Sequence, residues 1–202
     1  PDQRLALMLV CAHPAIAAPL HTPLMLQCVL GLDSARIAQL FMISPGALAK
    51  RLVRAKAKIR DAAISFALPD AASLSARQQA VFEAIYGLHT HDWLDPSDAM
   101  GDEALYLADL LCRLRPESAE AHGLAALIAF GHARQPARLN GGVLVPVAEQ
   151  DTALWDRQLI AYATAQLRRA TGLKQPGRFQ TEAAIQSVHI ARKDSGRSEE
   201  RR

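Results

Sequence analysis

Apolar residues recur at i, i+3, i+4 and i+7 along most of the chain, while period-two alternation is scarce, so the sequence predicts helices. They fall at about 3–12, 16–30, 34–41, 45–64, 75–91, 102–115, 118–133, 152–171 and 178–192. Pro and Gly set the breaks at Leu68-Pro69-Asp70, Asp95-Pro96-Ser97, Arg115-Pro116-Glu117 and Gln175-Pro176-Gly177. Only RLNGGVLVPVAEQD, residues 138–151, reads as extended. There Asn140-Gly141 suits a hairpin turn, and Pro146 confines the second arm to an edge. The expected class is all-α.

The sharpest pattern lies in SPGALAKRLVRAKAKIR, residues 44–60. Wound as an α-helix, it places Leu48, Leu52, Ala55 and Ile59 on one narrow apolar stripe. Lys50, Arg54 and Lys58 then lie roughly opposite, with Arg51 on the flank. Ser44 suits the N-cap, and Pro45 suits the first helical position, where no backbone donor is needed. Upstream, Asp33 or Ser34 suits the cap of a short helix with Ile37, Leu40 and Phe41 on its inner face. Ala38 is small where a second helix must cross. Two helices joined by a tight turn at Met42–Ile43, the second bearing exposed cations, amount to a helix-turn-helix. In that motif the second helix enters the DNA major groove, its first residues reaching base edges and its later cations meeting phosphates. Met42 sits where many such turns use Gly. A left-handed backbone there strains Met by about a kcal/mol, and a wider turn is the alternative.

Charge sharpens this picture. The net charge of +3 is unevenly spread. Residues 1–70 carry 8 basic and 4 acidic side chains, 71–170 carry 8 and 12, and 171–202 carry 7 and 4. The first third suits a polyanion and the middle does not. Basic runs also occur as solvated faces of ordinary bundles. Here the Pro start, the apolar stripe and the lack of any acid between Asp33 and Asp61 favour nucleic acid.

The segment GLDSARIAQLFMISPGALAKRLVRAKAKIRD resembles region 4 of the bacterial sigma-70 superfamily, of the extracytoplasmic-function type. Ile37-Ala38 matches the first helix of that pattern. Arg51-Leu52, Arg54-Ala55-Lys56 and Lys58-Ile59 match the second. CAHPAIAAPLHTPLMLQCVLGL is similar to the helix that opens the region. IRDAAISFALPD, ARQPARL, EQDTALWDRQLI and GRFQTEAAIQSVH resemble the helical extension of one subgroup. The charge balance changes and turn residues cluster in ALPDAAS, between Ala67 and Ser75. This sets the boundary between a winged-helix-like, sigma region 4 domain over 1–67 and a helical-bundle extension over 75–192, as the resemblance implies. The tail KDSGRSEERR, 193–202, is polar, lacks apolar residues and is expected to be disordered. The resemblance implies a sigma factor part that joins core RNA polymerase and reads the promoter −35 element. Ala47, Lys50, Arg51 and Arg54 would face the DNA, with Lys58 and Arg36 on phosphates. The domain that melts the −10 element would precede Pro1, so the chain is expected to be part of a longer protein.

EALYLADLLCRLRPESAEAHGLAALIAFGHARQP, residues 103–136, resembles one tetratricopeptide-like hairpin, with Ala108, Gly123 and Ala126 at its close approaches. No second copy follows at a fixed period, so a plain helical hairpin is the simpler reading. Such an extension binds a protein regulator or folds back on the reader. An acidic surface near Asp92–Asp109 is one candidate for that contact. The competing reading of the whole chain is a helical protein-interaction module that does not itself bind DNA.

Other chemistry is sparse. Cys11, Cys28 and Cys112 are odd in number and far apart, which favours free thiols and a reducing, cytoplasmic setting over a disulfide framework. Cys11, His13 and Cys28 sit among apolar neighbours and read as buried thiols and a helix-end His. His89-Thr90-His91-Asp92 ends a helix, so its two His do not share a face as they would on a strand, and a surface or capping role is expected. Trp93 and Trp155 read as core anchors. The first apolar stretch is too short and Pro-broken to span a bilayer. No phosphate loop or catalytic order is evident, so neither an enzyme nor a cofactor or metal site is expected.

Overall fold

A computed structural model describes residues 3–64, 71–94 and 100–199, with backbone alone at 71–72, 91–94 and 192–199. The chain is mostly helical, and its contacts divide it into two compact units, Pro1–Met100 and Gly101–Arg202.

The first unit holds α1 (Gln3–Cys11), α2 (His21–Cys28), α3 (Ser34–Leu40), α4 (Pro45–Asp61) and α5 (Ala71–Leu94). The expected single helix over 16–30 is instead a 3-10 turn at Ala18–Leu20 running into α2. Pro19 lacks the N–H that a continuous helix would use there. Met8, Leu24, Met25, Ile37, Leu48 and Phe82 are fully buried. Each such side chain contributes about 1.5–3 kcal/mol by leaving water. α2 packs on α1, α3, α4 and α5, so it is the hub of the unit. The unit division falls after α5 because that helix packs on α1 and α2, whereas the turn-rich composition places the change at 67–75. Residues 65–70 of that segment lie outside those described.

The second unit holds α6 (Met100–Leu114, from Gly101), α7 (Ala119–Ala133), α8 (Gln135–Arg138), α9 (Arg157–Gly172) and α10 (Arg178–Glu199). Every residue of α7 except Glu120 and His132 is buried. A helix apolar on all sides belongs at the centre of a bundle, and α9 and α10 flank it. Gly123 allows this: a Cβ there would meet the Gln180 backbone nitrogen at 2.5 Å. The close approach expected between the helices flanking Pro116 is thus made with α10. Glu120 in turn accepts hydrogen bonds from the Phe179 and Gln180 N–H groups, at 3.2 and 3.1 Å, and so caps α10. Trp155 is 3% exposed and anchors the core as expected.

The one extended element is a short antiparallel hairpin, β1 (Leu139–Asn140) and β2 (Val143–Leu144). Its turn is Gly141-Gly142, with φ of 56° and 81°, one residue later than the expected Asn140-Gly141. A tight primed turn needs positive φ at both central residues, and two glycines supply that without strain. α10 runs to Glu199, past the expected end at 192, because extending an anchored helix adds a hydrogen bond per residue fixed. Among the described residues no helix is long and apolar enough to cross a membrane.

Candidate nucleic-acid interface

Asp33 starts the site. Its carboxylate accepts from the Ala35 and Arg36 N–H groups at 2.8 and 2.9 Å, which fixes the first turn of α3. Ile37 and Ala38 are buried, and α3 packs on α4. Phe41, expected on the inner face, is 38% exposed, because α3 ends at Leu40 and the chain turns before that side chain reaches the core. The turn carries the left-handed conformation: Met42 has φ 51° and projects into solvent.

α4 begins at Pro45 with Ser44 in the cap position, but the Ser44 side chain makes no capping hydrogen bond, so Pro45 alone marks the start. The predicted stripe is the buried face: Leu48, Leu52 and Ala55 are buried and Ile59 half-buried. Ala47, Lys50, Arg51, Arg54 and Lys58 are all exposed. Among the described residues none of these four cations forms an ion pair. Arg36 differs, since its guanidinium lies 3.8 Å from the Asp33 carboxylate. At the far end Arg60 pairs with Asp61 at 3.0 Å.

The structure groups these cations unevenly. Arg51, Arg54 and Lys58 line one wall of a groove of about 390 Å³, and Ile16, Ala17, Pro19 and Leu20 line the other. Lys50 is not part of the lining. Lys58 therefore shares the flank with Arg51 rather than standing opposite the apolar stripe. The apolar wall is held by His21, whose Nε2–H donates to the Ile16 carbonyl at 2.9 Å. His13 helps from the other side, its Nδ1 accepting from the Ala15 N–H at 3.1 Å. Nothing local in the sequence signals this wall. It follows from the break at Pro19, which turns the chain back across α4.

The other expected sites separate. Cys11 is buried as expected, Cys28 is exposed rather than buried, and His13 turns to its own loop. His89 is 8% exposed, so it is a core residue of α5 rather than a surface one. The side chains of His91, Asp92 and Trp93 lie outside those described, and so does part of the acidic 92–109 segment. Among the described residues no three His, Cys, Asp or Glu converge as a metal site.

Residues 77–171 match a family of unknown function, DUF6596, which covers most of α5 through most of α9 and leaves α3 and α4 outside. The chain is also 36% identical, over 195 residues, to an uncharacterized protein of Rhizobium meliloti (strain 1021). That alignment covers 93% of this chain, and the chain spans 46% of the length of that relative. No solved structure matches the chain significantly.

Proposed function

We propose that the first unit reads DNA through a helix-turn-helix of the sigma region 4 type, α3 and α4, and serves transcription initiation as part of a sigma factor of the extracytoplasmic-function type. One observation carries the proposal. A helix anchored by Leu48 and Leu52 presents Lys50, Arg51, Arg54 and Lys58 to solvent, with no carboxylate neutralising them among the described residues. Two leucines in the core fix the helix, and four free guanidinium and ammonium groups suit phosphates and base edges. The exposed first turn, with Ala47, is where a recognition helix contacts bases. The promoter −35 element and core RNA polymerase are the partners this reading requires.

The second unit we read as a helical interaction module of tetratricopeptide-like character, taking a protein regulator. Its α7, buried except at Glu120 and His132 and clasped by α9 and α10, suits the scaffold such a role needs.

One feature favours a second reading of the first unit. The apolar wall of Ile16, Pro19 and Leu20 facing Arg51, Arg54 and Lys58 suits an acidic amphipathic protein segment as well as a nucleic acid. Selection from a random DNA pool decides between them. On the DNA reading the chain enriches one sequence, and Lys50→Ala with Arg54→Ala removes the enrichment while helix content stays unchanged. No enrichment, together with retention of acidic helical peptides in the groove, favours the protein reading.

A further inference from the structure

The groove beside α4 joins two unlike walls. Arg51, Arg54 and Lys58 follow one another at three and four residues on α4, so they share one face, about a turn apart. Ile16, Pro19 and Leu20 form the facing wall. The 3-10 turn at Ala18–Leu20 packs on α4 and on α2, and the His21 bond to the Ile16 carbonyl holds the other end. Ala55 of the buried stripe also lines the groove, and so short a side chain leaves the space open. Among the described residues no acid lines it. Its volume, about 390 Å³, is in the range of small-molecule sites, whereas a stable protein partner covers about 800 Å² on each side.

We propose that this groove binds a small amphipathic carboxylate, the anion of a straight-chain fatty acid. Charge complementarity selects the head. A guanidinium grips a carboxylate through paired N–H donors, Arg51 and Arg54 supply two of them, and Lys58 adds a third positive charge. The facing wall selects the tail. An alkyl chain lying along Ile16, Pro19 and Leu20 leaves water and gains with every methylene covered. A bare phosphate or a short carboxylate finds nothing to pair with on that wall, and a neutral hydrocarbon leaves the three cations unused. Arg54 and Lys58 are also side chains that the DNA reading needs. On that reading a bound fatty carboxylate competes with DNA, which makes the groove a place where a metabolite turns the reader down.

Calorimetric titration of the full chain with sodium octanoate tests this with no DNA present, so the groove stands or falls apart from the DNA reading. One site per chain should saturate. Hexanoate should bind more weakly, by up to about fifteenfold for two methylenes. Acetate, which lacks the chain, and octanol, which lacks the charge, should not saturate over the same range. This series uses the unmutated protein and depends on no variant folding. Arg54→Ala and Leu20→Ala should each weaken octanoate by about tenfold, while Lys50→Ala, outside the lining, should leave it unchanged. Equal binding of hexanoate and octanoate, octanol binding as well as octanoate, or many sites per chain overturns the proposal. So does a loss at Lys50 equal to that at Arg54, or an acidic helical peptide that binds where octanoate does not. Competition is read at constant ionic strength, at the octanoate concentration that half-fills the parent. DNA affinity should halve for the parent and fall by only about a tenth for Leu20→Ala. An undiminished affinity in the parent overturns the competition.

Discussion

Ile43 is tied back to Ala38 across the turn between α3 and α4, its N–H donating to the Ala38 carbonyl at 2.9 Å. Inside that loop the Met42 N–H donates to the Gln39 carbonyl at 3.1 Å, with Met42 at φ 51°. This pair of bonds is a Schellman closure with methionine where glycine is usual. Ala63 repeats it after α4, at φ 46°, with Ile64 donating to Ile59 at 3.2 Å.

Met42→Gly should therefore stabilise the chain. Relief of the left-handed strain is worth about 1–2 kcal/mol, less about 0.5–1 for the freedom glycine loses on folding. Met42 is 93% exposed, so no buried contact is lost. Urea unfolding should show a net gain of about 0.5–1 kcal/mol. A loss would mean that the turn does not hold this conformation.

The two cap positions should respond differently. Asp33→Ala removes an acceptor for two N–H groups and should cost about 1 kcal/mol. Ser44→Ala removes no capping bond and should fall within about 0.5 kcal/mol of the parent. Equal losses at both positions in urea unfolding would contradict this account of how the helices begin.

Gly123 and Gly46 form a second contrast. An Ala at 123 drives a methyl into the α10 backbone and should cost about 1–3 kcal/mol. Gly46 lies in the first turn of α4 with open space around it, so Gly46→Ala should gain about 0.5–1 kcal/mol. Thermal unfolding of both variants checks the pair.

His13 gives the first unit a pH dependence. Burial, helped by Arg77 and His21, holds its pKa below the usual imidazole range, and its Nδ1 must stay unprotonated to accept from Ala15. The unfolded chain then binds the proton more readily than the folded one. His13 contributes stability above the ordinary imidazole pKa and loses it as pH falls through that value toward the folded one. His13→Asn keeps an acceptor without a titrating ring. Unfolding curves between neutral and mildly acidic pH should be flatter for this variant than for the parent.

The α3–turn–α4 segment was legible because its signals are local. A cap, a proline and an apolar stripe lie within thirty residues of each other, and Leu48 and Leu52 are buried as the stripe requires. What escaped depends on partners distant in sequence. Gly123 reads as a helix-packing glycine, but only the fold shows that it serves α10. The wall formed by Ile16, Pro19 and Leu20 arises from how the chain turns at Pro19. Phe41 was misplaced because period alone does not tell where α3 stops, and one residue more or less moves a side chain by about a quarter turn.

The most direct test is the salt dependence of DNA binding by the full chain. Four free cations meeting phosphates release counterions in proportion, so log K should fall with log salt at a slope near −3.6, about a hundredfold from 50 to 200 mM. Replacing Arg54 or Lys58 with Ala should each reduce that slope by about 0.9 with the fold intact. A slope that these substitutions leave unchanged would show that α4 does not meet the nucleic acid.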